Sequence, residues 1–460
     1  MNIYFRRIVN AVIASAFTCY FDVYSLIGGV NKQPPEVPED FTRSRLCRPC
    51  RPCHKQPPEV PEDFTPVLRF AVCSDVHLSG EEDQANAKRF TALYNDTYDY
   101  AATQSYKGFD AVIVAGDMTG GGREPEYVMF KKIIDENCRE GTRTLVCMGN
   151  HEFIEYRDYD ATIGYDVYKK FVSEDVDTHT VINGYHFIGV SYADDGKTFK
   201  SKVEWLKAEL DKAVADTPDK PIFVFQHPHP TLTVYGSVNW SDLDIKTTLM
   251  KYPQVVDFSG HSHYASCDPR SINQTSFTSV GTGSLGALMS NLDYISGDVD
   301  MPGETAAFWL AEVDAEGNLL LKLYDAVSHR FFDDVQYYIP NVANKGTKYY
   351  SWGNLRSIDT APQFPQDAKV SVSTDSEGEA VLNFPNAKGY FDAENYRITV
   401  KSGAKTVWSD TVVSNYGRAD LTEMAVNVGK LDKGEYTVTI APYSPYSKGG
   451  KALTANMVIA

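Results

Sequence analysis

Basic charge is scarce in this 460-residue chain: 44 lysines and arginines stand against 61 aspartates and glutamates, a formal net charge of −17. Phosphate backbones are gripped by basic patches, and none of useful size occurs, so a nucleic-acid-binding surface is excluded. Long apolar runs are scarce too. The stretch from Ile8 to Phe21, preceded by Arg6 and Arg7, is short for a membrane-spanning helix and reads as a secretory signal. An anchor is the alternative, either uncleaved, with Tyr24 to Val30 extending the run, or lipidated at Cys19. Cysteine is thin, with 8 in all. Cys73 and Cys147 lie inside strand-like apolar runs and read as small buried hydrophobes rather than disulfide partners. No Ser or Cys elbow suited to nucleophilic catalysis stands out.

What is present is a globular composition, 43% apolar and 23% charged, long enough for two or three domains with cores of their own. Residues 1–30 are the signal or anchor. Residues 31–65 are a Pro- and Glu-rich linker in which KQPPEVPEDFT, 32–42, recurs word for word at 55–65. The Cys47, Cys50, Cys53 and His54 cluster between the copies has zinc-like spacing. A tandem duplication with a damaged joint is the preferred reading, and the cluster is assigned no function.

From residue 66 to 335, short β-branched runs alternate with amphipathic segments. Strands are expected at 67–74, 111–115, 144–148, 185–191, 222–226, 255–259 and 277–280, and helices at 85–103, 124–138, 165–172 and 202–215. Strands separated by helices of this length indicate an α/β layered domain. Residues 336–364 read as a second linker. From 365 to 460, about seven short alternating strands predict an antiparallel, all-β sandwich. Its pieces YRITV and GEYTVTIAP resemble late strands of fibronectin type III domains. Trp408, Tyr443 and Tyr446 are candidate glycan contacts there, against the plainer reading as core aromatics.

The informative feature is where five motifs fall. SDVH, with Asp75 and His77, follows the first strand; GDM, with Asp117, the second; GNHE, with Asn150, His151 and Glu152, the third. HPHP, with His227 and His229, and GHSH, with His261 and His263, follow the strands ending at residues 226 and 259. Ligand sites in open α/β sheets form outside the carboxyl ends of strands, so these groups are expected to converge on one crevice. A lone His after a strand is usually structural, but five such sites carrying oxygen and imidazole ligands point to metal.

This motif order, DxH, GD, GNH, H and GHxH, resembles the calcineurin-like metallophosphoesterase superfamily over residues 66 to about 335. The resemblance implies a four-layer sandwich of two sheets flanked by helices. It also implies a dinuclear site: Asp75, His77, Asp117 and His263 on one ion, and Asp117, Asn150, His227 and His261 on the other, with Asp117 shared. Two divalent ions, Fe, Mn or Zn, roughly 3.5 to 4 Å apart would polarise a phosphoryl group and activate a bridging hydroxide for in-line attack. Two carboxylates against about four positive charges leave about +2 to attract a phosphate.

His151 matches the histidine that approaches substrate, as a transition-state or leaving-group donor, with a ligand-orienting role as the alternative. Glu152 is expected to orient a neighbouring ligand. His229, Arg270 and Asn273, with Gln274, are candidates for substrate contact, the alternative for the last three being a strand and turn that complete the second sheet. Position 120, where purple acid phosphatases carry a metal-binding Tyr, is Gly120, so no tyrosinate chromophore is expected.

The function implied is an exported hydrolase of small phosphate mono- or diesters, its sandwich a spacer or adhesive module. An idle surface binding protein is the alternative; a missing ligand would favour it, and none is missing.

Overall fold

The computed structural model describes residues 55–81, 84–156, 160, 162–193, 197–291, 298–343 and 348–459. The signal or anchor segment, the first copy of the repeat and the Cys47/Cys50/Cys53/His54 cluster lie outside the described residues. Between 66 and 339 the strands of three or more residues are β1 (Pro66–Cys73), β2 (Ala111–Ala115), β3 (Arg143–Cys147), β4 (Thr178–Ile182), β5 (Tyr185–Gly189), β6 (Ile222–Gln226), β7 (Val255–Ser259), β8 (Ile272–Gln274), β9 (Thr278–Gly281), β10 (Ala307–Asp314), β11 (Leu319–Asp325) and β12 (Arg330–Ile339). Five longer segments are helical: α1 (Ala85–Thr103), α2 (Glu124–Asn137), α3 (Thr162–Phe171), α4 (Val203–Asp216) and α5 (Leu243–Leu249).

Two six-stranded sheets result, in the orders β12-β11-β10-β1-β2-β3 and β8-β9-β7-β6-β5-β4. The strands β1, β2 and β3 run parallel, as do β5, β6, β7 and β9. Alternation along β1 and β2 explains the layering. Phe70, Val72, Ile113 and Ala115 share one core with Phe187, Phe223, Phe225 and Phe258 of the second sheet. The intervening Ala71, Cys73, Val112 and Val114 join Phe90, Leu93, Tyr94 and Phe130 of α1 and α2. Helix, sheet, sheet and helix stack in that sequence, and aromatic edges such as Phe70 on Phe223, at 4.8 Å, fill the inter-sheet space.

Three strands that pattern reading passed over, β10, β11 and β12, make up half of the first sheet. They are antiparallel and joined by short turns, so no helix spacing announces them. The expected linker boundary at 335 cuts through β12, and the following segment is not extended. A helix, α6 (Trp352–Ile358), places Leu355 and Ile358 in the inter-sheet core beside Tyr350. The second copy of the repeat also docks: Phe64 meets Tyr338 edge-on at 5.8 Å, and Lys55 exchanges backbone hydrogen bonds with the Asn354 side chain.

The C-terminal region is all-β. Strands β13 (Ser371–Thr374), β14 (Ala380–Pro385) and β17 (Glu423–Asn427) form one antiparallel sheet, and β15 (Asn395–Ser402), β16 (Lys405–Val413), β18 (Gly434–Tyr443) and β19 (Leu453–Ile459) the other. They enclose a core of Leu382, Phe384, Tyr396, Ile398, Val438 and Ile440. The aromatics considered for glycan contact are used internally: Trp408 packs on this core, Tyr446 packs on the inter-sheet core beside Phe391, and Arg397 covers the Tyr443 ring at 4.0 Å. A spacer tethered by a linker does not describe this region. Val413 and Tyr416 belong to the same inter-sheet core as Phe70 and Trp309, and residues 54–292 and 298–460 form one compact unit.

Candidate metal centre

The carboxyl ends of β1, β2, β3, β6 and β7 open at the same edge of the sandwich, where the chain must turn at once to present a side chain. Asp75, His77, Asp117, His261 and His263 all take positive φ, between 50° and 72°. This left-handed region is costly for residues with a Cβ and marks functional constraint where it clusters. The motif glycines have a complementary reason. A Cβ on Gly116 would lie 2.6 Å from the His227 ring, one on Gly149 would collide with Asp117 Oδ1, and one on Gly260 with Asp75 Oδ2.

Three overlapping groups of potential ligand atoms result, each within 4.8 Å: Asp75, His77 and His263; His77, Asp117 and His151; Asp117, His227 and His261. Asp75 Oδ1 lies 3.1 Å from His263 Nε2 and 3.8 Å from both His77 Nε2 and His227 Nε2. Asp117 Oδ2 is 2.9 Å from His227 Nε2 and 3.8 Å from His151 Nε2. His261 Nδ1 approaches His227 Nε2 at 3.2 Å. Asn150 sits on the loop after β3, its side-chain oxygen buried.

The surroundings fix orientation and tautomer. Asp75 Oδ2 accepts from Ser74 Oγ and from the His261 backbone N–H at 3.0 Å. Asp117 Oδ1 accepts from the His151 N–H at 2.9 Å. His227 Nδ1 donates to Ala115 O at 2.9 Å, which directs its Nε2 at the carboxylates. His151 Nδ1 likewise donates to Gly120 O at 2.8 Å, and its side chain, 32% exposed, turns Nε2 toward the crevice.

The donor set fits metal ions on two observations. Asp75 Oδ1 is buried and makes no hydrogen bond, although three imidazole nitrogens surround it. The two carboxylates are also almost fully buried, a position held only where positive charge is supplied. Burial alone would raise the Asp75 carboxyl, but His263, His227 and His77 hold it well below the usual range; His227 does the same for Asp117. Against its own burial, His227 is pulled up to about 9 by Asp117 and Asp75. Burial pushes His77 and His261 down to about 4, leaving both neutral near pH 7 with lone pairs for a cation.

Glu152 is fully buried, and its oxygens accept from the backbone N–H groups of Asp117 at 3.0 Å, Thr119 at 3.0 Å and Gly149 at 2.7 Å, and from Thr119 Oγ1 at 2.8 Å. Burial and the Asp117 charge push its pKa up to about 7, against these donors. One side chain thus ties the GD loop to the GN loop. Glu152→Ala leaves several buried donors without acceptors, at about 1–3 kcal/mol each. A lower melting temperature and weaker metal retention are therefore expected, and Glu152→Gln, which keeps one oxygen, is expected to fall between; unchanged melting in the alanine variant would contradict the tie.

The residues expected to touch substrate are placed elsewhere. His229 is buried, with Nδ1 2.9 Å from Ser259 Oγ and Nε2 2.8 Å from Ser262 Oγ, so both nitrogens are engaged; burial pushes its pKa down to about 3. Arg270 is buried between Asp268, at 2.6 and 2.8 Å, and Glu394 of the C-terminal region, beneath the Tyr235 ring at 4.0 Å. Asn273 donates to Thr233 O at 2.7 Å and accepts from the Trp352 N–H, and Gln274 accepts from the Tyr350 N–H. These are structural ties, and the expected substrate role is corrected for His229, Arg270 and Asn273. Sequence reading also passed over Trp240, whose ring meets His261 edge-on with centroids 5.0 Å apart. No motif surrounds it; an aromatic in a Gly- and Ser-containing loop after HPHP is the sole signal.

Comparison with known proteins agrees with this geometry. Residues 68–265 match the calcineurin-like phosphoesterase family. Over 169 residues the chain is 29% identical to a glycerophosphodiester phosphodiesterase of Enterobacter lignolyticus (strain SCF1), covering 34% of this chain and 56% of the relative. The chain therefore spans about half the length of the curated relative it matches. Among solved structures, a purple acid phosphatase from yellow lupin (Lupinus luteus) seeds gives a TM-score of 0.44 at 14% identity, covering 62% of this chain and 56% of that one. A chitinase from Bacillus thuringiensis gives 0.16 at 12% identity, over 82% and 62% of the two chains. Residues 68–265, which include the crevice at the ends of β1, β2, β3, β6 and β7, are thus similar to a calcineurin-like phosphoesterase domain.

Proposed function

We propose that the protein hydrolyses small phosphate mono- or diesters using two divalent metal ions. The observation that carries this reading is the pair of ligand groups, Asp75/His77/His263 and Asp117/His227/His261, arranged around two buried carboxylates at one sheet edge. Asp75, His77, Asp117 and His263 would hold one ion, and Asp117, Asn150, His227 and His261 the other. Bound there, such ions supply Lewis-acid polarisation of a phosphoryl group and lower the pKa of a water to near neutrality.

The chain's own residues do the rest. Glu152, Ser74 and Ala115 O fix the directions of Asp117, Asp75 and His227, so little reorganisation is needed as charge develops. His151, held through Nδ1 and partly exposed, presents Nε2 where a leaving oxygen would depart and serves as hydrogen-bond or proton donor. Export is part of the same proposal, supported by Arg6 and Arg7 ahead of the apolar Ile8 to Phe21. It would place the enzyme outside the cytoplasm, secreted, periplasmic or held at the cell surface.

The test is metal analysis with hydrolysis of p-nitrophenyl phosphate and bis-p-nitrophenyl phosphate by the full chain. Near two metal ions per chain are expected, with activity lost on chelation and restored by manganese, iron or zinc. Protein that holds the metals yet hydrolyses neither ester would favour a binding role instead.

A further inference from the structure

His229, Arg270 and Asn273 are committed elsewhere, whereas Trp240 lies beside the metal centre with its side chain partly exposed. It ends the loop Thr231–Trp240 that links β6 to α5, and it is 36% exposed. The loop is pinned from both sides. The Trp240 N–H donates to Gly236 O at 3.1 Å, and Trp240 O accepts from the His229 N–H at 3.1 Å. A Cβ on Gly236, at φ 90°, would lie 2.6 Å from Ser262 Cβ, so the loop rests on the GHSH turn itself.

The Gly236 turn that carries this loop also lies against the Tyr264 ring. Tyr264 in turn is held by Asp298 at 2.5 Å and Asn291 at 3.2 Å. The indole ring stands perpendicular to His261, at 88°. Leu232 and Val238 of the same loop are exposed, giving it an apolar character unlike the imidazole and carboxylate floor beside it.

We propose that Trp240 is a specificity-determining wall of the crevice that receives a flat aromatic or heteroaromatic ester group. Aryl and nucleoside phosphoesters would then be preferred over esters of small polar alcohols. The proposal rests on the phosphoesterase reading for the position of the phosphoryl group beside His261, from which an ester substituent one or two bonds away reaches the indole. A ring seated against His261 on a loop pinned from both sides is already ordered, so stacking on it costs little conformational freedom.

The test separates this wall from the hydrolytic reading. Phenylphosphonate and methylphosphonate carry a P–C bond that a phosphoesterase does not cleave, and their binding to metal-loaded protein is measured by calorimetry. Wild type is expected to bind the phenyl compound about tenfold more tightly, Trp240→Ala to lose that preference, and Trp240→Phe to keep most of it.

In parallel, kcat/KM is measured for bis-p-nitrophenyl phosphate and for glycerophosphoethanolamine. Trp240→Ala is expected to lower the first about tenfold and leave the second within about twofold. Equal loss on both esters, or no phenyl preference in wild type, overturns the wall even if hydrolysis is found. A phenyl preference without hydrolysis of any ester would support the wall and overturn the phosphoesterase reading.

Discussion

Asp117→Asn is expected to lower kcat/KM for either nitrophenyl ester by about 10³-fold or more and to halve the metal content. Asp117 touches both ligand groups: Oδ2 faces His227 and His151, while Oδ1 holds the His151 N–H. An amide preserves the volume and can still accept that N–H, so the GD and GN loops keep their path. What goes is an almost fully buried negative charge, and with it the oxygen that would be most able to serve two cations at once. Without metal, Asp117 is the buried partner that pulls His227 upward, and losing one side of such a pair is destabilising, so the metal-free variant is expected to melt lower than metal-free wild type. Metal analysis, steady-state kinetics and thermal melting check the three parts separately. A variant that keeps its metal and its turnover would remove Asp117 from the centre.

Ending the chain at residue 364 is expected to leave a protein that is insoluble or melts at least about 10 °C lower. The reason is the buried group at the junction of the two regions. Arg270 is shared between Asp268 and Glu394, Tyr416 donates to Asp268 Oδ2 at 3.3 Å, and the Tyr235 ring covers the guanidinium. Breaking a buried ion pair from one side costs about 3–5 kcal/mol, and each kcal/mol lowers melting by about 2–4 °C in a domain of 150–250 residues. The cut also uncovers apolar surface that Val413 and Tyr416 bury. Glu394→Ala tests the polar part alone and is expected to reproduce part of the loss. Solubility, melting and hydrolysis by the shortened chain are the readouts. A soluble, fully active protein ending at 364 would restore the spacer description.

The convergence of Asp75, His77, Asp117, His227, His261 and His263 could be read in advance because each motif follows an apolar β-branched run at once, and chain order then implies one crevice. Strand ends at Cys73, Ala115, Gln226 and Ser259 fall within a residue of where hydropathy places them. The substrate side chains could not be read this way. Arg270 is decided by Glu394, 124 residues later, and Asn273 by Trp352, 79 residues later; His229 is decided by two serines across the fold. Polar residues near a motif look alike in sequence whether they face a crevice or a distant backbone. The strands β10, β11 and β12 were missed because meander strands lack the helix spacing that marks parallel ones, and the 336–364 linker because its composition conceals an amphipathic turn around Leu355 and Ile358.

The left-handed backbone at Asp75, His77, Asp117, His261 and His263 places these positions in tension with the stability of the fold. Glycine meets such φ values with no side-chain penalty, whereas each residue bearing a Cβ costs about 1–2 kcal/mol there. Stability-driven engineering would therefore favour glycine at these positions, each such change relieving backbone strain. Selection for thermal robustness alone is expected to erode this edge first, so a hardened variant should be screened for metal retention before it is screened for melting temperature.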